Sequence, residues 1–135
     1  MKLPKFAKPK KISKSKLQKK CDILFSLITR HVGICEAKVF TKVRCGGQLQ
    51  CAHIVGRTNR RLRWDSMNAI SMCAGHHRYF TTHNEQWWLD FIPTFFPDKF
   101  TYVQKYRNIL YTDLNLESIL ADLQRKVDSL QLEKK

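Results

Sequence analysis

Four of the five cysteines and four of the five histidines of this chain fall between Cys35 and His83. That crowding constrains the fold more than any helix or strand pattern, because thiolates and neutral imidazoles are the preferred ligands of a dication such as zinc. The densest stretch is Asn68-Ala-Ile-Ser-Met-Cys-Ala-Gly-His-His77. In it, Cys73 and His76 form a C-x-x-H pair, a spacing at which one tight turn aims both side chains at one ion. Cys35 and Cys45 can complete a tetrahedral set, although they are further apart than the two to four residues usual between paired zinc ligands. The alternative is a group of buried thiols without a metal. Five cysteines is an odd number, and nothing suggests export, so a disulfide framework is disfavoured.

The charge is as unevenly spread as the sulfur. The 135 residues carry 25 Lys+Arg against 11 Asp+Glu, a net charge of +14. Such a balance points to a polyanionic partner, most often nucleic acid. Residues 1–20 hold nine lysines and no acid. With Pro4 and Pro9 against an early helix, residues 1–14 read as a disordered basic arm that tethers to phosphates. A solubilising or targeting tail is the alternative. From Arg30 to Arg63 there are eight basic residues and one acid, Glu36, whereas from Glu85 to Glu133 eight acids face five bases. The C-terminal third is therefore expected to stay off nucleic acid. No run approaches the ~18 apolar residues of a membrane span. The lysine-rich start has no apolar segment behind it, unlike a secretory signal. An intracellular, cytoplasmic location is expected.

Apolar residues make up 43% of the chain, enough for a modest core. Leu17, Cys21, Leu24, Phe25 and Ile28 recur at helical spacing, predicting a helix from about Lys16 to Val32 with Ser15 as cap and Gly33 as stop. Val39, Val43, Leu49 and Ile54 around Cys45-Gly46-Gly47 suggest a hairpin over 38–54. An arginine-rich loop covers 55–67, a short strand Ala69–Met72, and a helix Ala74–Phe80. Asn84 can cap a further helix, and Pro93 and Pro97 interrupt the segment after it. Helices at 101–111 and 116–132 complete the chain, the last with an apolar stripe of Leu116, Ile119, Leu120, Leu123, Val127 and Leu130. Trp87, Trp88, Phe91, Phe95 and Phe96 read as core.

A second constellation comprises His53, Asn68, His77 and His83. A neutral imidazole can take a proton from water near pH 7, a divalent cation can neutralise charge on a scissile phosphate, and a carboxamide can fix the base. A strand, loop, strand and helix can bring His53, Asn68 and His77 to one point. His83 lies about 240° around a continuous helix from His77, so it can join them only if the helix breaks near Thr81-Thr82. Otherwise it is a surface or capping residue.

The run LQCAHIVGRTNRRLRWDSMNAISMCAGHHRYFTTHNEQWW resembles the HNH, or ββα-metal, endonucleases, in the compact type found in bacteriophages and bacteria. The matching features are Ala-His53-Ile, the Arg-Trp-Asp-x-x-Asn68 approach and Cys73-x-x-His-His77, over residues 35–92. The resemblance implies an α+β fold, with a small ββα-metal core, flanking helices and the basic arm. Residues 15–135 would form one domain, with a helical extension from 93. His53 resembles the general base, Asn68 the residue that orients the base and its loop, and His77 the helix-borne ligand of the catalytic cation (Mg²⁺ or Mn²⁺, or else Zn²⁺ or Ni²⁺). Cys73 and His76 resemble half of a structural zinc clasp, with Cys45 and Cys35 the other half. Many relatives carry an acidic metal ligand just before the base, where this chain has Ala52, so His83, Cys51 or His53 itself would have to compensate.

Arg57, Arg60, Arg61 and Arg63 lie just beyond the candidate base and can pair bidentately with a DNA backbone. A solvated loop is the alternative. Trp64 is expected to pack under this loop and Asp65 to fix its turn. The expected activity is hydrolysis of DNA phosphodiester bonds, by a monomer or a homodimer. The competing readings are a non-catalytic zinc-stabilised nucleic-acid-binding module and a nuclease specialised for branched DNA or RNA.

Overall fold

The computed structural model describes residues 12–83, 85–109 and 114–131. The expected arm therefore lies outside the described residues, except for Ile12, Ser13 and Lys14. Helix α1 spans Lys14–Arg30 and starts two residues earlier than predicted, because the side chain of Ser13, not Ser15, accepts the Lys16 N–H at 3.3 Å. Its buried face is Leu17, Cys21, Leu24 and Phe25. The chain leaves it through Gly33, whose φ of 79° suits glycine and whose N–H bonds the Arg30 carbonyl at 3.0 Å.

No hairpin forms within 38–54. Residues 36–40 make turns and 42–43 a bend, Val39 is 71% exposed, and only Leu49–His53 is a strand, β1. The physical reason is that the Val43 carbonyl accepts from His76, the Val43 N–H bonds the Thr41 hydroxyl, and the Gly46 carbonyl accepts the Gly75 N–H, so these groups are engaged outside a ladder. β1 pairs antiparallel with β2, Ala69–Cys73, in the register Leu49↔Cys73, Cys51↔Ser71 and His53↔Ala69. Every residue of β2 is buried, so it reads as an apolar run rather than an alternating one. Glu36 covers its open edge: its backbone N–H bonds the Ser71 carbonyl, and its carboxylate accepts the Ser71 N–H, both at 2.9 Å. Lys99 reaches the Ser66 and Ala69 carbonyls from farther along the chain.

Helix α2, Ala74–Arg78, continues directly from β2 and widens into a π-helical turn at Tyr79–His83. Helices α3, Glu85–Phe95, α4, Pro97–Tyr106, and α5, Leu116–Ser129, complete the described elements. Pro93 does not end α3 but sits inside it, while Pro97 opens α4 at a position where its missing N–H costs nothing. Asn84, expected as a cap, and the Trp87 side chain, expected in the core, lie outside the described residues.

Two apolar clusters flank the sheet. On one side Ala52, Ile70 and Met72 meet Phe80, Phe91 and Ile92, with Phe80 and Phe91 stacked at 5.5 Å. On the other, Cys21, Leu24 and Phe25 of α1 meet Leu123 and Val127 of α5 and Ala69. The stripe of α5 is thus packed within the chain. Phe95 is 43% exposed and lies at the rim rather than in the core. The architecture is a mixture of helix and sheet of α+β type. Among the described residues no helix is long and apolar enough to cross a membrane.

Candidate functional site

The four expected zinc ligands converge. The ligand atoms of Cys35, Cys45, Cys73 and His76 all lie within 4.8 Å of one another. The three sulfurs stand 3.4, 3.7 and 3.2 Å from His76 Nδ1. An ion about 2.3 Å from sulfur and about 2.0 Å from nitrogen separates tetrahedral ligand atoms by roughly 3.5–3.8 Å, so the cluster has close to the size of a zinc shell. His76 is fully buried and its Nε2 donates to the Val43 carbonyl at 2.7 Å, which leaves the lone pair on Nδ1, the atom among the sulfurs. Fixing a ligating imidazole through its other nitrogen is what a metal site requires. Burial alone would raise the Cys73 pKa. The N–H groups of His76 and Gly46, with the Cys35 side chain, outweigh it and hold the thiol down at about 7, toward the thiolate that binds metal. These four groups can hold a metal ion such as zinc.

The wide spacing of Cys35 and Cys45 is explained by Glu36, which pins Cys35 beside β2 while residues 37–44 loop out and return. The return is tight. Gly75 N–H bonds the Gly46 carbonyl at 2.9 Å, and a Cβ on Gly47, already at a φ of 81°, would meet the Ala74 Cβ at 2.9 Å. Only glycine lets the two turns of the cluster approach this closely.

His53 and His77 lie on one cleft of about 530 Å³, lined also by Asp22, Arg30, Gln50, Cys51 and Arg57. His53 ends β1, half-buried against the Phe25 ring at 5.6 Å. Its Nε2 is 2.8 Å from the Arg63 carbonyl, which can only accept. Nε2 therefore carries the proton and Nδ1 keeps the lone pair. Burial, aided by the charges of Arg57 and Arg63, lowers the pKa against the pull of that carbonyl, so the ring is neutral at pH 7. His77 is one α2 residue beyond His76. Its Nδ1 faces Gln50 Oε1 at 2.8 Å, leaving the lone pair on Nε2, and burial lowers its pKa as well. The Cys51 thiol donates to Thr29 Oγ1 at 3.5 Å and burial raises its pKa, so it stays protonated. The His83 side chain lies outside the described residues, but its backbone is in the π-helical turn, where the regular 3.6-residue period is broken.

Asn68, expected to orient the base and its loop, contacts the loop directly and the base only through it. It is fully buried, and its three hydrogen bonds go to the backbone of the loop: Oδ1 accepts the Val55 N–H at 2.7 Å, and Nδ2 donates to the Val55 and Leu62 carbonyls at 2.9 and 3.0 Å. It holds the loop, whereas the Arg63 carbonyl holds the His53 ring.

The four loop arginines also diverge. Arg63 is gripped by Asp22 at 3.0 and 2.6 Å, with its side chain 17% exposed, so it braces α1 against the loop rather than facing a ligand. Arg57, its side chain 62% exposed and 3.6 Å from Asp22, borders the cleft. Arg60 and Arg61 point to a different groove of the surface. Trp64 packs under the loop, with its indole N–H on Asp22 at 2.9 Å, and Asp65 caps the turn at Met67, as expected.

Nothing in the sequence reading singles out Asp22, yet it binds Arg63, Trp64 and Arg57 at once. Burial would raise its pKa, but the hydrogen bonds from Arg63 and Trp64 and the nearby guanidinium charges bring it below the usual carboxylate value. Its one signal is that it is the single acid before Glu36. Gln50 and Val43, which orient His77 and His76, leave no comparable trace. Comparison with family models, curated proteins and solved structures returns no match for this chain.

Proposed function

We propose that the chain is a metal-dependent endonuclease of the ββα-metal type acting on the phosphodiester bonds of DNA. The observation that carries this reading is the pair His53 and His77. They line one cleft, and each has one ring nitrogen engaged by a neighbouring oxygen and the other left with its lone pair. Neutral His53 accepts a proton at Nδ1 from water as the water oxygen attacks phosphorus. The bond from phosphorus to the 3′ oxygen breaks in line, and that oxygen departs and takes a proton from solvent water. His77 would hold a divalent cation through Nε2, a cation that supplies charge neutralisation at the scissile phosphate. Arg57 at the cleft pairs with a phosphate oxygen. The Cys35/Cys45/Cys73/His76 cluster sets α2 against β1, and so sets His77 against His53. Zinc held there contributes folding free energy to a domain of short elements.

Ala52 favours a second reading, a zinc-stabilised nucleic-acid-binding module without catalysis. Its side chain is buried in the core where an acid would stand, and Asp22, the one carboxylate among the described cleft residues, is committed to Arg63. The test is cleavage of supercoiled plasmid by the zinc-loaded protein with Mg²⁺, Mn²⁺ or no added cation, beside His53→Ala of verified fold. Cation-dependent nicking lost in the variant supports the nuclease. Salt-sensitive binding without cleavage of plasmid, junction DNA or RNA supports the module.

A further inference from the structure

The groove that takes Arg60 and Arg61 has a third arginine from far along the chain. It measures about 390 Å³ and is lined by Thr58, Asn59, Arg60, Arg61, Arg107 and Asn108. No acid is among the described residues that line it. Asp65, 3.8 Å from Arg61, and Asp122 border a separate cavity on the other side of the same two arginines.

The groove is built rather than incidental. Asn59 Nδ2 donates to the Arg107 carbonyl at 2.8 Å, while Asn59 Oδ1 accepts the Leu62 N–H at 3.2 Å. One side chain thus ties the loop to the end of α4. The Arg61 guanidinium lies 5.0 Å over the Tyr106 ring. Tyr106 packs on Tyr102 at 4.6 Å, and the Tyr102 hydroxyl donates to Asp65 at 2.5 Å. Three arginines line the groove and no acid is among its described lining residues, so an oxyanion entering it is attracted. Arginine pairs best with planar or tetrahedral oxyanions, phosphate above all.

We infer that this groove is a second phosphodiester-binding site, in which Arg60, Arg61 and Arg107 hold the nucleic-acid backbone a few nucleotides from the bond at the cleft. The proposal rests on the nuclease reading only for the identity of that bond. Arg57 at the cleft and Arg60 at the groove are three residues apart, so their Cα atoms are at most about 11 Å apart. Both sites are therefore within reach of one nucleic-acid backbone. The C-terminal part of the chain, acidic overall and expected to stay off nucleic acid, thus contributes one specific contact through Arg107.

The experiment is fluorescence anisotropy of a labelled 20-base-pair duplex titrated with the full-length, zinc-loaded protein, without added divalent cation, over a series of KCl concentrations. Arg107→Ala and Arg107→Glu are compared with the parent, and Arg60→Ala is carried as a second site on the same groove. Zinc content and thermal midpoint verify each fold. Arg107→Ala is expected to weaken binding about five- to tenfold and to lower the salt slope by about 0.9, the loss of one phosphate contact. Arg107→Glu is expected to weaken it further, and Arg60→Ala to act like Arg107→Ala. Parent-like affinity and slope in both folded Arg107 variants overturn the groove, whatever the cleavage result. Weakened binding in a protein whose parent never nicks leaves the groove standing and overturns the nuclease. A parent that does not bind the duplex overturns both.

Discussion

Replacing Asn68 by alanine removes a buried strut and tests whether the loop between the strands depends on it. Three backbone groups lose a partner: the Val55 N–H, the Val55 carbonyl and the Leu62 carbonyl. The Leu62 carbonyl still accepts the Asp65 N–H at 3.2 Å, so only the two groups of Val55 are orphaned. Each buried orphan costs about 1–3 kcal/mol. Val55 is half-buried, so water meets part of the need, and a net loss of about 3 kcal/mol is expected. For a chain of this size that is roughly a 10 °C fall in thermal midpoint. The assay is urea unfolding of zinc-loaded parent and variant at one pH, fitted with a common slope, with a calorimetric scan beside it. Asn68→Asp keeps the acceptor for the Val55 N–H but turns an oxygen toward two carbonyls, and is expected to be no more stable than Asn68→Ala. A loss below about 1 kcal/mol in Asn68→Ala would refute the reasoning, since it would mean the loop finds its backbone partners without the amide.

Zinc removal is expected to unfold or greatly loosen the chain, because structural zinc contributes on the order of 10 kcal/mol in small domains. One equivalent of zinc by elemental analysis, lost in Cys73→Ser together with the cooperative transition, is the expected result. On the proposed nuclease reading, the pH dependence of nicking is set by His53. Its folded pKa is below the ordinary 6.5 and the neutral ring is the active form, so the rate should rise with pH and level off below 6.5. Because the folded ring resists protonation, stability should also fall as pH drops from about 6.5 through the folded pKa, which an NMR titration of the ring locates. Asp22→Ala should cost about 1–3 kcal/mol by stranding the Arg63 guanidinium. The depressed pKa of Asp22 gives stability that is present above the unfolded carboxylate value and lost as pH falls through the folded one. The difference between parent and Asp22→Ala in urea should therefore shrink toward pH 3.

The residues of the Cys/His cluster were legible in the sequence because thiols and imidazoles are few and chemically distinctive, and four of each crowd one segment. Strand β2 and helices α1 and α5 were legible from apolar spacing, with errors at their ends where Ser13 rather than Ser15 made the cap. The false hairpin over 38–54 shows the limit. Alternating valines look alike whether their backbone pairs in a ladder or, like Val43, serves a histidine.

What tertiary structure alone decided was how side chains of the same type were divided among tasks. Four arginines in one loop are equivalent on paper. Folded, Arg63 is bound to Asp22 41 residues away, Arg57 borders the cleft, and Arg60 and Arg61 join Arg107 on another face. Likewise His76 and His77 are neighbours in sequence, but successive residues on a helix point about 100° apart. One therefore turns into the sulfur cluster and the other toward the cleft with His53. Residue chemistry and spacing are properties of the chain. Whether a charge is free to meet a ligand depends on a partner brought to it through space.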